Sequence, residues 1–488
     1  MGAIVNERLS CFFMAKKKAD LPLDPKTELF HWGPIPGRLF YPSDFVAPMF
    51  HELMDAYGEC WPPSLFLFHG GRMCWINEFP VFRETGRAVF KKYVLPKKRR
   101  EGLRALWRKK AAELFAYEKK IHAADLTKLS DDLFRKVWNG FYTRKSAFWL
   151  PSILPELGNY GSPEYLEEKL HVHGVSKDAT KRALEVLTAP EAPSFYLEEE
   201  LALARAKDVA QHAERFFWLK NSYNGSMVLP VSFFAERKKT LPKDLHRLEA
   251  KRQKEVRAQK ERVKGELKLT REIMDVAEAI TFAVEWQDER KADIFRSIHT
   301  KTALLSETAR RHGRSFDELL NWPSFEVSKL VAGEKAFAWS SAGQEFYGIY
   351  QNERHSRVLG EAEAKQYWDL YVQGSIGSEV TEFSGIIASV GTGKTVQGKV
   401  RVLLDPHDLD SFHDGEILVT SMTSPEYVFA MKKARAIITD TGGLTSHAAV
   451  TSRELGKPCI VGTKIATKVL RDGDMVAIDI SRGVVKKL

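Results

Sequence analysis

The chain has 488 residues, of which 44% are hydrophobic and 28% charged, and its net charge is +10. This length predicts two to four domains, and the apolar content excludes a wholly disordered protein. No stretch approaches twenty uncharged apolar residues, so the sequence predicts no transmembrane helix.

The N-terminus has a short apolar patch before Lys16, Lys17 and Lys18, and we expect residues 1–24 to be a flexible end. A secretory signal has its basic residues first and ends in a small-residue cleavage site, and neither is present. The four cysteines form no CxxC pair, which argues against a disulfide framework and against a zinc site. We therefore expect a cytoplasmic protein with no membrane partner and no bound metal.

Residues 25–96 are predicted to form a small α/β region, because short apolar runs alternate with prolines and glycines. The runs 64–68 and 73–76 lie on either side of Gly70 and Gly71. This spacing is typical of two strands joined by a tight turn.

Residues 97–375 have a helical pattern, with apolar residues recurring at intervals of three and four. Breaks are predicted at 151–163, 189–193 and 221–229. The run from 243 to 311 contains no proline and one glycine, so it predicts one or two long helices. A small β segment is expected near 346–350.

Two stretches are strongly basic: 91–110 has ten basic residues and one acid, and 237–264 has twelve basic residues and four acids. Such runs occur both on nucleic-acid surfaces and on solvated helix faces. No nucleic-acid motif accompanies the charge here, so we favour solvated helix faces.

The pattern changes after residue 375 to short β-branched runs between glycines and aspartates, with two helical patterns among them. This arrangement predicts a compact α/β domain over 376–488. The expected strands cover residues 398–404, 416–420, 436–439, 458–461 and 475–480, and the expected helices cover 425–434 and 447–455.

The segment 439–458 concentrates residues suited to phosphate chemistry. A strand is followed by Gly442 and Gly443, and Thr445 and Ser446 then precede His447 on the first turn of a helix. Unpaired amides and a partial positive charge at a helix N-terminus favour a phosphoryl group, and a histidine there can act as a nucleophile toward phosphorus. Arg453 would add a cation if its side chain folds back.

At these residues the sequence resembles the swivelling phosphohistidine domain of the phosphoenolpyruvate-utilising enzymes. That family has Gly-Gly, two residues, Ser or Cys, the phosphorylated His, a later Arg and a Gly-x-Pro, all present between 442 and 458. The run 415–427 also resembles the family's strand and Thr-x-Pro-Glu turn. The resemblance covers 385–488.

The resemblance implies a carrier domain with His447 as the transient phosphohistidine. Gly442, Gly443, Thr445, Ser446 and Arg453 would stabilise the phosphoryl group. Thr445 occupies the place of a regulatory threonine in the dikinases, but we favour a capping and phosphate-binding role. The expected fold is multidomain, with a mixed α/β N-terminal part, a mostly α-helical middle and a C-terminal swivelling β/β/α phosphohistidine domain.

The other domains of the family are not evident in the sequence. The sequence up to Leu488 shows no phosphoenolpyruvate-binding barrel, so we expect no pyruvate chemistry within these residues, and residues 1–384 do not resemble an ATP-grasp domain. This region instead weakly resembles the central helical, acceptor-binding part of rifampicin phosphotransferase and the linker region of phosphoenolpyruvate synthase, in particular from 289 to 313 and at 325–327. We expect an ATP-grasp donor subunit using ATP with Mg, or phosphoenolpyruvate as donor, and a small-molecule acceptor bound in the helical part.

Other interpretations remain open at this point. One is a non-catalytic binding or regulatory protein that uses the swivelling domain as a docking module, with RNA as a candidate partner. Another is a nucleotide site hidden in 25–240. Residues 391–395 resemble the end of a P-loop, but Ala388 stands where that motif needs glycine. His171 and His173 are expected to be surface histidines, and the aromatic clusters at 148–149, 216–218 and Trp286 are expected to be core.

Overall fold

The computed structural model describes residues 21–336, 345–352, 356–373, 380–391, 395–405, 408, 411–424, 427–443 and 446–488. Within these residues the chain is multidomain and mostly helical, with two separate sheets. Residues 1–20, which include most of the expected flexible end, lie outside the described residues.

The first sheet joins segments that are far apart in sequence. It is antiparallel, with strand order β1-β3-β2-β4-β5. Its strands are β1 (Leu29–Pro36), β2 (Ser64–His69), β3 (Arg72–Glu78), β4 (Phe346–Gln351) and β5 (Ser356–Leu359). Strand β4 pairs with β2, so residues 346–359 complete a sheet that begins in the small N-terminal region.

The hairpin predicted around Gly70 and Gly71 is confirmed. Strands β2 and β3 pair from Ser64 with Asn77 to His69 with Arg72. The two glycines have φ angles of 56° and 72°. Two consecutive left-handed residues form the turn whose twist matches paired strands, and glycine adopts this conformation without strain.

Helices make up the middle of the chain. They are α1 (Leu53–Tyr57), α2 (Phe79–Val89), α3 (Lys97–Ala123), α4 (Asp131–Gly158), α5 (Ser162–Val172), α6 (Lys177–Leu187), α7 (Phe195–Arg205), α8 (Val209–Phe216), α9 (Val231–Thr240), α10 (Leu245–Glu266), α11 (Arg271–Arg311), α12 (Phe316–Leu320), α13 (Ser324–Ala332) and, packed on the first sheet, α14 (Glu361–Trp368). Short 3-10 or π turns cover Pro42–Phe45, Pro48–Glu52, Phe90–Val94, Leu126–Lys128 and Asp369–Gln373.

The long helices after Pro242 are confirmed as α10 and α11, and the breaks at 189–193 and 221–229 also fall between helices. The break predicted to start at Pro151 is wrong, because α4 continues through Pro151 and Pro155 to Gly158. Proline removes one helical hydrogen bond and normally kinks or ends a helix. Both prolines are buried here, and burial of the apolar face of α4 compensates for that loss.

The two basic stretches are helical, but they are not simply solvated faces. Arg100 is buried on α3 and its guanidinium donates to Glu278 on α11 at 2.6 Å. On α10, Arg252 donates to Glu249 and to the backbone carbonyls of 190–192. Part of the basic charge therefore neutralises acids and ties helices together.

The second sheet has eight strands in the order β6-β13-β12-β8-β9-β10-β11-β7. Its strands are β6 (Glu382–Ser384), β7 (Ile386–Ser389), β8 (Thr395–Val402), β9 (Ile417–Thr420), β10 (Ala436–Thr439), β11 (Cys459–Val461), β12 (Met475–Asp479) and β13 (Val484–Lys487). Strands β8 to β11 are parallel, and the other pairs are antiparallel. Helices α15 (Val428–Lys433), α16 (His447–Glu454) and α17 (Ala466–Val469) connect them, as the sequence predicted for the first two.

The C-terminal domain packs directly against the rest of the molecule. Val428 belongs to the main hydrophobic core, and the ring of Phe429 contacts Tyr196 edge-on with centroids 5.8 Å apart. Polar contacts lie around this apolar centre: Ser421 donates to the carbonyl of Pro34, and the Lys468 ammonium donates to the carbonyl of Gln373 at 2.9 Å. These contacts place α16 against the helical part.

Candidate functional site

His447 lies where the parallel strands of the second sheet end. The register pairs Thr439, the last residue of β10, with Thr420, the last residue of β9. The loops that follow therefore begin side by side, and the amide of Thr441 donates to the carbonyl of Ser421 at 2.9 Å. The loop after β10 leads directly into α16, and His447 is its first residue. The carboxyl ends of parallel strands are the usual location of ligand sites in open α/β sheets.

Two threonine hydroxyls hold the imidazole of His447. Thr423, from the loop after β9, has its Oγ1 2.8 Å from Nδ1, and Thr451, one turn further along α16, has its Oγ1 3.2 Å from Nε2. Burial lowers the pKa of His447 well below its usual value, and the nearby Lys291 ammonium lowers it further. The docked imidazole is therefore neutral at pH 7, which leaves one ring nitrogen with a free electron pair.

The loop before His447 depends on its first glycine. Gly442 has a φ of +115°, and a Cβ at this position would lie 2.9 Å from the Oγ of Ser446. Ser446 caps α16, with its Oγ accepting from the amide of Ala449 at 3.4 Å. A Cβ on Gly443 would meet no atom within 4 Å. Gly442 therefore shapes the cap, whereas the backbone at Gly443 is open to approach.

Thr445 and Arg453 are the two remaining predicted site residues, and the structure describes only Arg453. Thr445 lies outside the described residues, so its position stays a prediction. The Nε of Arg453 donates to the carbonyl of Ala388 at 2.8 Å. Six residues along a helix correspond to a rotation of about 240°, so Arg453 and His447 lie on different faces of α16. The structure does not bring the guanidinium of Arg453 to the imidazole.

A cation close to the His447 site comes from the helical part. Lys291 on α11 acts electrostatically on the imidazole and also lines a small cavity beside it. This cavity has a volume of about 20 Å³, enough for one water molecule. Its lining comes from β1, from α11 and the loop after α8, and from the loop that carries Thr423: Trp32, Ile35, Pro36, Ser222, Tyr223, Lys291, Phe295, Met422, Thr423 and Ser424.

The weaker sequence signals lie away from this site. His171 and His173 are exposed at the end of α5, as expected of surface histidines. Phe148, Trp149 and Trp286 are buried in the main core, also as expected. Residues 392–394 of the P-loop-like segment lie outside the described residues.

The described ranges contain neither a cluster of metal ligands nor a membrane-spanning helix. No group of three His, Cys, Asp or Glu side chains among these residues is arranged to hold a metal ion. No helix in the same ranges combines the length and the hydropathy needed to cross a membrane.

Comparison with known proteins agrees with the geometry of the His447 site. Residues 412–483 match the family described as PEP-utilising enzyme, mobile domain. The C-terminal part of the chain is a PEP-utilising enzyme mobile domain. The resemblance stated from the motif at 442–458 is thereby confirmed, and His447 lies inside the matched residues of this mobile domain.

Several curated relatives of the chain carry the name phosphoenolpyruvate synthase or probable phosphoenolpyruvate synthase. The protein from Pyrococcus furiosus is 51% identical over 110 residues, which are 22% of this chain and 14% of that protein. The probable synthase from Methanothermobacter thermautotrophicus is 41% identical over 169 residues, 33% of this chain and 25% of that protein. The chain thus spans a quarter or less of the length of these relatives.

A solved structure of Enzyme I (nEIt), determined by solution NMR, is also similar. It is 12% identical, and the match covers 67% of this chain and 78% of that one. The TM-score is 0.18, too low for a fold comparison.

The sequence assigns no role to several residues that lie near His447 or at the contact between its domain and the helical part. Lys291 lies in the weakly matching stretch from 289 to 313, to which the resemblance assigns no catalytic residue, and Thr423 lies in a run that predicts only a strand and a turn. Asp288 and Glu454 accept from the amides of Phe195 and Ser194 at the domain contact, and no motif in the sequence marks either residue. Helical spacing does show that Glu454 shares a face with His447, but it does not identify what that face contacts.

Proposed function

We propose that this protein is a phosphotransferase component in which His447 carries a phosphoryl group from a donor to an acceptor. The observation that carries the proposal is the setting of the imidazole. It is neutral, held by Thr423, at the start of α16, and the mobile domain that contains it is docked beside Lys291. A neutral imidazole oriented by a hydroxyl at a helix N-terminus is suited to nucleophilic attack on phosphorus, and a cation beside the docked ring is suited to offset the phosphoryl charge during transfer to the acceptor.

The proposed reaction has two displacements at phosphorus. In the first, the free electron pair of one ring nitrogen of His447 forms an N–P bond, and the P–O bond to the donor breaks with its electrons on the leaving oxygen. In the second, an acceptor hydroxyl oxygen forms the new P–O bond, and the N–P electrons return to the imidazole. The hydroxyl proton is lost to solvent or to a carboxylate. Lys291 would offset the phosphoryl charge during the second step.

The donor is proposed to bind outside this chain. The family and the names of the relatives support phosphoenolpyruvate as one donor class. An ATP-grasp subunit using ATP with Mg is the other, and in either case the phosphoryl group would reach His447 while the mobile domain is withdrawn from the helical part.

The acceptor is proposed to be a small hydroxyl compound that binds where three parts of the molecule meet. Six lining side chains of the cavity beside Thr423 are apolar or aromatic: Trp32, Ile35, Pro36, Tyr223, Phe295 and Met422. In the docked state this cavity holds about one water molecule. The acceptor would therefore enter before the mobile domain closes, with its apolar body against these side chains and its hydroxyl toward His447.

The proposal is tested by intact-mass analysis after incubation with ATP and Mg or with phosphoenolpyruvate, each alone and with cell extract. We expect one phosphoryl group, labile in acid and stable in base, only when a donor subunit from the extract is present. His447→Ala should abolish it, whereas His413→Ala, at an exposed histidine of the same domain, should not.

Other outcomes would redirect the assignment. Phosphate retained by His447→Ala would show that the site is wrong. Labelling by a pure donor would indicate a nucleotide or phosphoenolpyruvate site within this chain. No label under any condition would favour a non-catalytic docking or regulatory protein.

A further inference from the structure

Two carboxyl groups meet where the mobile domain contacts the helical part. The backbone amide of Ser194 donates to Glu454 Oε1 at 3.2 Å, and the next amide, that of Phe195, donates to Asp288 Oδ2 at 2.7 Å. Glu454 belongs to the mobile domain, and Asp288 belongs to α11. Because consecutive amides at the start of α7 bind them, the two carboxyl groups lie side by side across the domain interface.

This pair is in register with the functional histidine. Glu454 follows His447 by seven residues, which is two helical turns, so both side chains lie on one face of α16. Asp288 precedes Lys291 by three residues, so both lie on one face of α11. Glu454 and Asp288 accept from consecutive amides, and Lys291 lines the same cavity as Thr423, which contacts His447; these two faces therefore lie close together. The carboxyl pair thus lies at one end of the contact and His447 at the other.

The surroundings of the pair do not neutralise both carboxyl groups. Burial raises the pKa of Asp288 to about 7; Lys291 opposes this shift, and Glu198 and Glu289 add to it. Burial and Asp288 raise the pKa of Glu454 to about 7, against the lowering effect of Arg252. The cation Arg252 already pairs with Glu249. Two neighbouring carboxylates repel each other when both are ionised, so such a pair retains a proton.

We propose that Glu454 and Asp288 are positioning residues that share one proton and thereby hold α16, and with it His447, against the helical part. Loss of this proton leaves two adjacent carboxylates and releases the mobile domain. The functional meaning of this release rests on the proposed function, in which the domain moves between donor and acceptor. The docking itself does not depend on phosphoryl transfer.

The direction in which docking depends on pH follows from the pKa of Glu454 in the docked and in the separated state. When the domains separate, Glu454 returns toward the ordinary carboxyl pKa of about 4.3. The docked state therefore binds more protons, and docking is strongest at low pH and weakens as pH rises through about 7. His447 acts in the opposite sense, because its pKa is lowered when docked and its protonation below about 6.5 favours separation.

Hydrogen exchange at Ser194 measures this equilibrium directly, because its amide donates to Glu454 only in the docked state. The full chain and its Glu454→Gln variant would be compared by mass spectrometry at pH 6 and pH 8, with intrinsic exchange rates corrected. Glutamine keeps an acceptor oxygen but has no titratable proton. His447 is common to both proteins, so its effect cancels in the ratio of their protection factors.

The ratio of wild-type to variant protection should fall about tenfold between pH 6 and pH 8, as expected for one linked proton with a docked pKa near 7. Asp288→Asn removes one of the two causes that raise the pKa of Glu454 but leaves its burial, so the fall in protection should persist and move to lower pH. Glu272→Gln, at an exposed acid near the start of α11, should behave like wild type. The proposal would be overturned if the ratio of wild-type to Glu454→Gln protection stayed constant between pH 6 and pH 8. It would also be overturned if the ratio of wild-type to Glu272→Gln protection fell about tenfold over the same range.

The test separates this inference from the proposed function. A tenfold change in a protein that takes up no phosphate from any donor would support the shared proton and refute the carrier role. Phosphate on His447 together with a constant protection ratio would support the carrier role and refute the shared proton.

Discussion

Oγ1 of Thr423 lies 2.8 Å from Nδ1 of His447, although the two residues are separated by 24 positions in the chain. Parallel pairing of β9 with β10 starts their two loops at the same level of the sheet. The hydroxyl therefore orients the imidazole from outside the helix that carries it. Together with Thr451 at Nε2, this contact fixes the orientation of the ring.

Thr423→Val should reduce phosphorylation of His447 by about tenfold to a hundredfold while leaving the fold intact. The substitution preserves the shape of the side chain but removes a hydrogen bond worth about 1–3 kcal/mol in a buried site. Thr423→Ser should retain most of the rate because it keeps the hydroxyl. Single-turnover phosphorylation by extract, followed by intact mass, measures this effect, and equal rates in the valine and serine variants would contradict the orienting role.

Gly442 and Gly443 should respond differently to alanine. At Gly442 the left-handed backbone and the close approach to Ser446 predict a loss of stability of about 1–3 kcal/mol, together with a disturbed cap on α16. At Gly443 a Cβ meets open space, so alanine should change the free energy of unfolding little. Urea denaturation of both variants provides the comparison, and equal losses would show that the loop is not shaped by Gly442.

Lys291 should lower the pKa of His447 and assist transfer to the acceptor. In Lys291→Met the histidine pKa should move up toward its usual value, because one of the two causes of its depression is removed. Lys291→Arg should preserve the shift, since guanidinium keeps the charge. Histidine-selective NMR titration of the full chain would detect the change, and an unaltered titration in the methionine variant would show that the two domains do not dock as described.

The buried ion pair between Asp44 and Lys301 should be important for stability. Their charged atoms are 2.9 Å apart, both side chains are buried, and the pKa of Lys301 is lowered to about 8 by burial. Asp44→Asn leaves a buried charge without its partner and should cost about 3–5 kcal/mol. Because the folded protein binds fewer protons at Lys301 than the unfolded chain, stability should rise with pH from about 8 to about 10.4.

Denaturation curves across this pH range test the Lys301 prediction. Asp44 opposes the depression of the Lys301 pKa, so in Asp44→Asn the rise in stability should begin at lower pH. In Lys301→Met the rise should be smaller by the contribution of one group. Identical pH profiles for wild type and Lys301→Met would contradict the assignment.

Much of the secondary structure was predictable because it depends on local pattern. The hairpin at Gly70 and Gly71 follows from two residues that tolerate left-handed backbone, and the long α11 follows from unbroken apolar periodicity. The position of the break after α4 was not predictable from prolines alone. Packing of the apolar face stabilises α4 through Pro151 and Pro155, and this contribution is absent from any local rule.

The residues of the candidate site were likewise predictable only where their arrangement depends on the local sequence. Gly442, Ser446 and His447 are close in sequence, so the motif contains their arrangement at the start of a helix. Arg453 is in the motif as well, but the face of α16 on which it lies directs it to Ala388.

By itself, the sequence determined that the C-terminal part is a mobile domain and that His447 is its functional candidate, because that motif is local in the chain. Only the tertiary structure decided that Lys291 lies close to His447 and that Glu454 meets Asp288 at the start of α7. These pairs lie more than 150 residues apart in sequence. Their proximity arises from the docking of two independently formed surfaces, which no spacing within one segment encodes.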